Sequence, residues 1–256
     1  MKRIPAWGLV LMAAVIAGGC VTTGDDVIIG EKSDARTRAR AHTELAAGYY
    51  QLGNMGVALE ELKTAIRVDS DYAQAYDVQG LVFMALRENA KAESSFDRAL
   101  RLAPDDPGIL HNYGWFLCQT GREKESISRF MKAIAQPLYQ TPAKSYAAAG
   151  QCSFKMNNDK DAAEFFNRAL RLDPNNLVAL PAYAEMNYRL GRMQEARALI
   201  GRYNKLVPPS AASLWLALRI ERRIGDRSAE ASYAVQLRQR FQGSNEYQNL
   251  VQGKFE

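Results

Sequence analysis

Cysteine and histidine carry the most reactive side chains of this 256-residue chain, and both are scarce. The three cysteines are Cys20, Cys118 and Cys152, and their spacing matches neither a zinc cluster nor a Cys-x-x-Cys redox motif. The two histidines, His42 and His111, are the candidate bases near neutral pH, and neither lies in a motif with a nucleophile. The sequence therefore predicts no metal site, no cofactor and no enzymatic activity.

The first twenty residues have the order of a secretory signal. Lys2 and Arg3 precede a largely apolar run over residues 4–16, which is too short and too interrupted for an ordinary membrane span. Ala17-Gly18-Gly19-Cys20 resembles the bacterial lipobox, in which small residues precede a cysteine that is acylated and becomes the first mature residue. We expect residues 1–19 to be removed and Cys20 to be lipidated. A signal peptide that merely ends near a cysteine is the alternative.

A lipidated Cys20 would anchor the chain firmly, because several acyl chains would be buried in the membrane. The resemblance to bacterial lipoproteins implies the periplasmic face of the outer membrane, since Val21 rather than Asp follows the cysteine. Residues 20–38 then form a tether, whose extended part over residues 21–32 could reach roughly 40 Å. Removing Lys2 and Arg3 lowers the formal charge from +5 to about +3. Because no aromatic-interleaved basic run or phosphate loop is present either, we expect no nucleic-acid partner.

From residue 39 onward the sequence repeats itself, and this is its strongest signal. Residues 90–106, AKAESSFDRALRLAPDD, and residues 160–176, KDAAEFFNRALRLDPNN, have nearly the same pattern. Five units are 34 residues long and one has 36. The units are 39–72, 73–106, 107–142, 143–176, 177–210 and 211–244, with a tail over 245–256.

This pattern resembles the tetratricopeptide repeat, a helix-turn-helix unit of 34 residues with small and large residues at fixed places. Five of the six eighth places hold small residues, and prolines stand at the thirty-second place of three units. The eighth places are Ala46, Gly80, Gly114, Gly150, Ala184 and Leu218; the prolines are Pro104, Pro174 and Pro208; turn glycines are Gly53, Gly121, Gly191 and Gly225. The resemblance implies an all-α, right-handed superhelical solenoid of six repeats.

The first helices of the units, the A helices, would line the concave surface of such a solenoid. The family's concave places hold an aromatic and apolar stripe, which we predict to be a groove for a protein segment. The stripe consists of Tyr50, Leu81, Met84, Trp115, Phe154, Tyr188 and Trp215. Any of these residues could instead be core between adjacent A helices. Basic side chains at the same places make a clamp for a partner's carboxylate a secondary expectation: Lys144, Lys155, Arg189, Arg219, Arg222 and Arg223.

Two irregularities lie in the third and fourth units. The third unit carries two extra residues near Pro137 and Pro142, which would end its second helix and push a loop outward. Cys118 and Cys152 are the twelfth and tenth residues of adjacent units, on neighbouring A helices. In an oxidising periplasm with Cys20 acylated, they are an even pair, for which we predict a disulfide; two buried free thiols are the alternative.

The segment over residues 112–118, Asn-Tyr-Gly-Trp-Phe-Leu-Cys, resembles the Asn-Tyr-Gly-x-Phe-Leu-Cys signature of the type IV pilus biogenesis and stability lipoproteins called PilW or PilF. Residues 149–152, Ala-Gly-Gln-Cys, are also similar to theirs. With the lipobox and six repeats, the likeness covers nearly the whole chain. It implies a monomeric pilotin that binds the pilus secretin and promotes its outer-membrane localisation and multimerisation, as pilus biogenesis and twitching motility require.

Other helical-repeat lipoproteins share an anchor and a solenoid. A component of outer-membrane β-barrel assembly, or an adaptor for periplasmic hydrolases, is the alternative function. The signature over residues 112–118 and the six-repeat length favour the pilus family.

Overall fold

The computed structural model describes the backbone of residues 24–255 and the side chains of residues 32–255. Thirteen α-helices and no strands occur within this part of the chain. They are α1 (Gly24–Gln51), α2 (Met55–Val68), α3 (Ala73–Ala85), α4 (Asn89–Leu102), α5 (Pro107–Gln119), α6 (Glu123–Ile134), α7 (Pro142–Lys155), α8 (Asp159–Leu172), α9 (Ala179–Arg189), α10 (Met193–Leu206), α11 (Ala211–Ile224), α12 (Arg227–Arg240) and α13 (Asn245–Gln252).

Consecutive helices pair into hairpins, and the hairpins stack in chain order. Each odd-numbered helix from α1 to α11 is an A helix, and it packs on the even-numbered B helix that follows it. Each A helix also contacts the A helix of the next hairpin. The predicted all-α repeat solenoid is therefore confirmed.

The A and B helices of every hairpin are joined through a residue with positive φ. Glycine occupies this place in four hairpins, as the sequence suggests, because it adopts the left-handed region without strain. The other two hairpins have Arg87 (φ 60°) and Asn157 (φ 57°) at the equivalent place. The turn geometry is thus common to all six units although its glycine is not.

Proline sets the end of three B helices. The helices α4, α8 and α10 end at Leu102, Leu172 and Leu206, and each of these residues lies two positions before a proline. Proline disfavours helical backbone in the residue before it and lacks the N–H that a continuing helix needs.

Size complementarity holds the two helices of each hairpin together. A Cβ atom on Gly150 would lie 2.6 Å from the ring of Phe166, which is fully buried on α8. Units two and three repeat this pairing, with Gly80 against Phe96 and Gly114 against Phe130. Glycine is needed at these places because the facing phenylalanine fills the space that any Cβ would take.

The other three hairpins combine residue sizes differently at the same two places. The pairs are Ala46 with Leu62, Ala184 with Ile200, and Leu218 with Ala234, and each belongs to one core cluster. The sixth unit departs from the small-residue rule at Leu218 because the facing residue is Ala234. The two positions thus vary together in volume.

The tether prediction is wrong for residues 24–38. Helix α1 begins at Gly24 and continues into the first repeat, so this segment is helical and not extended. No proline interrupts residues 24–51, and a helix advances only about 1.5 Å per residue. The residues 1–23, which include the predicted signal and Cys20, lie outside the described part.

The segment predicted as a tail contains α13, which packs on α11 and α12. Tyr247, Leu250 and Phe255 join the core cluster of Trp215. Helix α13 thus covers the last hairpin in the way that a further A helix would, so the solenoid does not end on an open apolar face.

The two extra residues of the third unit lie in a loop between α6, which ends at Ile134, and α7, which begins at Pro142. Leu138, in the middle of this loop, is 85% exposed. The loop therefore projects outward, as the paired prolines predict.

Candidate functional site

The A helices position the predicted groove residues side by side. Every residue of the stripe lies on an A helix, and Tyr50, Leu81, Met84, Trp115 and Phe154 keep part of their surface exposed. Tyr188 is only 5% exposed, because arginine side chains lie against its ring. The stripe is therefore partly core and partly open surface.

Trp215 is not part of the open surface, and its prediction as a groove residue is wrong. It is 7% exposed, and the ring of Phe255 stacks on its indole with the centroids 5.5 Å apart. Trp215 lies on an A helix as predicted, but Phe255, from the segment predicted as a tail, covers its ring.

A recess of the groove lies between α5 and α7, near the start of α9. A cavity of about 390 Å³ opens there, and its lining is mostly apolar. The lining residues are His111, Asn112, Trp115, Lys144, Ala148, Gln151 and Val178. A recess with one large aromatic wall and a few polar groups is suited to an anchoring side chain of a bound protein segment.

A hydrogen-bonded polar pair with a buried carboxylate lies beside this cavity. The amide of Asn112 donates to Asp77 Oδ2 over 2.8 Å, whereas Asp77 Oδ1 has no partner among the described residues. Burial raises the pKa of Asp77 to about 7, because the charged carboxylate has lost its water. Sequence reasoning did not select Asp77, although it stands at the fifth place of its unit, one of the concave places.

His111 lies under the same cavity in a chain of hydrogen bonds. Its Nδ1 is 2.8 Å from Ser145 Oγ, which is 2.8 Å from the hydroxyl of Tyr139 in the projecting loop. Ser145 is fully buried, and burial lowers the pKa of His111 to about 3, so the pair offers neither an exposed nucleophile nor an effective base. These hydrogen bonds join α5, α7 and the loop.

Cys118 and Cys152 face each other behind the cavity. Their Cα atoms are 5.9 Å apart, the usual separation of bridged cysteines, and both side chains are buried. Lys155 Nζ donates to the carbonyl of Cys118 over 2.8 Å and pairs with Glu123. The cysteine pair and Lys155 therefore join the two helices that form the walls of the cavity.

Near the C-terminal end of the solenoid the groove becomes basic. A recess of about 450 Å³ is lined by Glu185, Tyr188, Arg189, Arg219 and Arg223. All five lie at concave places of the last two hairpins, and four of them are aromatic or basic. The groove thus has an apolar centre and a cationic end.

The described residues contain no group of three or more His, Cys, Asp or Glu side chains able to hold a metal ion. Among the helices described, none combines the length and the apolar composition that crossing a bilayer requires.

Comparison with known proteins places the chain in a family. Tetratricopeptide-repeat profiles match residues 43–107 and 83–207. The type IV pilus assembly protein PilF of Pseudomonas aeruginosa is 32% identical over 94% of this chain and 96% of its own length. The solved structure of PilW, described as a widely conserved type IV pilus biogenesis factor, superposes with a TM-score of 0.77 at 30% identity, covering 83% of this chain and 98% of PilW.

A solved structure of Pseudomonas aeruginosa PilF superposes with a TM-score of 0.75 at 29% identity. It covers 88% of this chain and 100% of the PilF chain. This chain therefore belongs to the PilF/PilW family of tetratricopeptide-repeat proteins of type IV pilus biogenesis.

Proposed function

We propose that the chain is an outer-membrane lipoprotein that acts as the pilotin of a type IV pilus. In this role its concave groove binds a segment of the pilus secretin, and the lipid on Cys20 carries the complex to the outer membrane, where the secretin forms its ring. Family membership across nearly the whole chain supports the pilus role.

The cavity beside Trp115 carries the binding part of this proposal. A half-buried tryptophan beside a recess of about 390 Å³ is the kind of surface on which a few residues supply most of the binding energy. The buried hydrogen bonds of His111 and Ser145 hold its two walls in register. A preformed recess binds more tightly because little ordering is needed on binding.

A deletion strain complemented with variants tests the proposal. Deletion is expected to abolish surface pili, twitching and heat-resistant secretin multimers. Trp115→Ala should weaken secretin capture about tenfold or more, because the aromatic anchor is lost. Leu172→Ala is the matched control, since Leu172 is an exposed apolar residue on a B helix, outside the groove.

Cys20→Ala separates anchoring from binding. We expect the secretin to be mislocalised in this strain while the variant still captures it in a pull-down. Correct secretin assembly with Cys20→Ala would contradict delivery by the lipid. A deletion strain that keeps its pili and multimers would refute the pilotin role, and a general loss of outer-membrane porins would favour the β-barrel assembly alternative.

A further inference from the structure

Arginine side chains lie against aromatic rings at the C-terminal end of the groove. The guanidinium carbons of Arg219 and Arg223 are 4.6 and 5.0 Å from the ring centre of Tyr188. Arg189 lies 4.5 Å from the ring centre of Phe154 in the preceding hairpin. Stacking on a ring restrains a guanidinium group while leaving its N–H groups free to donate at its edges.

The charges of this recess are not balanced within the described residues. Glu185 pairs with Arg219 at 3.0 Å, which neutralises one guanidinium. Arg189 and Arg223 are exposed and form no ion pair with any residue that the structure describes. The Nε of Arg219, which is largely buried, also lacks an acceptor there. The recess therefore presents two uncompensated positive charges and one unused buried donor.

The chain itself places an aromatic segment beside this recess. Phe255 stacks on Trp215, and the guanidinium of Arg222 lies 3.9 Å from the centre of its ring. Arg222 is in turn paired with Glu230. The adjoining end of the solenoid thus already holds an aromatic side chain of the chain itself between an indole ring and a guanidinium group.

We propose that the recess over α9 and α11 binds an acidic segment of a partner protein, whose Asp or Glu side chains pair with Arg189 and Arg223. The inference rests on the proposed function and specifies the chemistry of the bound segment. Two carboxylates from side chains match two separate guanidinium groups, whereas a chain terminus supplies only one. A flat anionic membrane fits less well, because the recess lies on a concave surface.

Fluorescence polarisation with the full chain purified in detergent tests the inference. The probe is a short fluorescein-labelled peptide, amidated at its C-terminus, in which Asp and Glu alternate with Phe and Ser. Its partner probe has Asn and Gln at the acidic positions. We expect the acidic probe to bind at least about tenfold more tightly, because its carboxylates can pair with the two guanidinium groups and the amides of the partner probe cannot.

The double variant Arg189→Gln/Arg223→Gln should abolish this preference and reduce the salt dependence of binding. The double variant Arg101→Gln/Arg238→Gln carries the same net charge and should keep the preference, because both arginines are exposed on B helices. Equal binding of the two probes to the unmodified chain, or an equal loss in both double variants, would overturn the inference. The inference would also be overturned if Arg189→Gln/Arg223→Gln lost binding to phosphatidylglycerol vesicles but kept its affinity for the acidic probe.

The two proposals can fail separately. If Trp115→Ala impairs secretin capture while the acidic probe shows no preference, the acidic-segment inference is wrong and the pilotin role stands. If the deletion strain keeps its pili, the pilotin role is wrong whatever the probes show.

Discussion

The pairing of Gly150 with Phe166 makes a quantitative prediction about how the hairpins are held together. An added Cβ at Gly150 would lie 2.6 Å from a fully buried ring, and such overpacking costs about 1–3 kcal/mol. The intrinsic helix preference of alanine returns about 1 kcal/mol. We therefore expect Gly150→Ala to lower the free energy of unfolding by up to about 2 kcal/mol.

A double-mutant cycle shows whether the ring is the cause. Phe166→Leu alone should cost about 1–2 kcal/mol through the space it leaves. The double variant restores the combination of Ala46 and Leu62 found in the first hairpin, so it should be no less stable than Phe166→Leu alone. The expected coupling energy is about 1–3 kcal/mol in favour of the pair.

Urea unfolding followed by circular dichroism measures all four proteins, with equal m-values as the condition for comparison. Gly201→Ala is the control, because Gly201 lies within α10 and its Cβ would meet no atom within 4 Å. This control should gain about 0.5–1 kcal/mol from helix propensity. If Gly150→Ala behaves like the control, or if the double variant simply adds the two single effects, the size-complementarity argument is wrong.

Three further predictions concern two turn residues, the buried Asp77 and the cysteine pair. Arg87→Gly should stabilise the protein by about 0.5–1 kcal/mol in urea unfolding, because glycine adopts the left-handed backbone of this turn without the strain that arginine has there. Asn157→Gly should stabilise it less, since asparagine tolerates the left-handed region. Equal gains in the two variants would contradict this explanation. The folded-state pKa of Asp77, about 7, exceeds its unfolded value, so the contribution of Asp77 to stability falls as pH rises from about 4 to 7. Asp77→Asn should therefore be roughly 2–4 kcal/mol more stable than the unmodified protein at pH 8, with a much smaller difference at pH 4.5. A stability difference that does not depend on pH would refute the raised pKa of Asp77. Unfolded, unreduced protein should show no thiol labelling at Cys118 or Cys152, and labelling of both would exclude the disulfide bridge. Replacing both cysteines by serine should lower the free energy of unfolding by about 2–4 kcal/mol.

The repeat architecture could be predicted from the sequence because its determinants are local residue types at fixed spacing. Proline and glycine act on the backbone where they stand, so Pro104 and Gly121 mark a helix end and a turn without any knowledge of neighbours. Arg87 occupies the same turn geometry as Gly121, but arginine carries no such signal. The turn there is imposed by packing of the two helices it joins.

The composition of the groove was harder to predict because it depends on contacts between distant residues. Asp77 and Asn112 are 35 positions apart, and only the stacking of α3 on α5 brings them together. The sequence predicts Trp215 in the open groove because nothing in the short segment after residue 244 indicates that this segment folds back. Helix α13 has few apolar residues, and its packing against α11 is a tertiary effect.

Site-specific photo-cross-linking in piliated cells tests most directly whether the groove binds the secretin. A photoreactive amino acid is placed at Trp115 on the cavity wall, or at Leu172 on an outer helix as the control, and adducts are identified with an antibody to the secretin. Binding of the secretin in the groove predicts an adduct from the position of Trp115 and none from that of Leu172. An adduct from the outer position alone, or from neither position in cells that assemble pili, would contradict it.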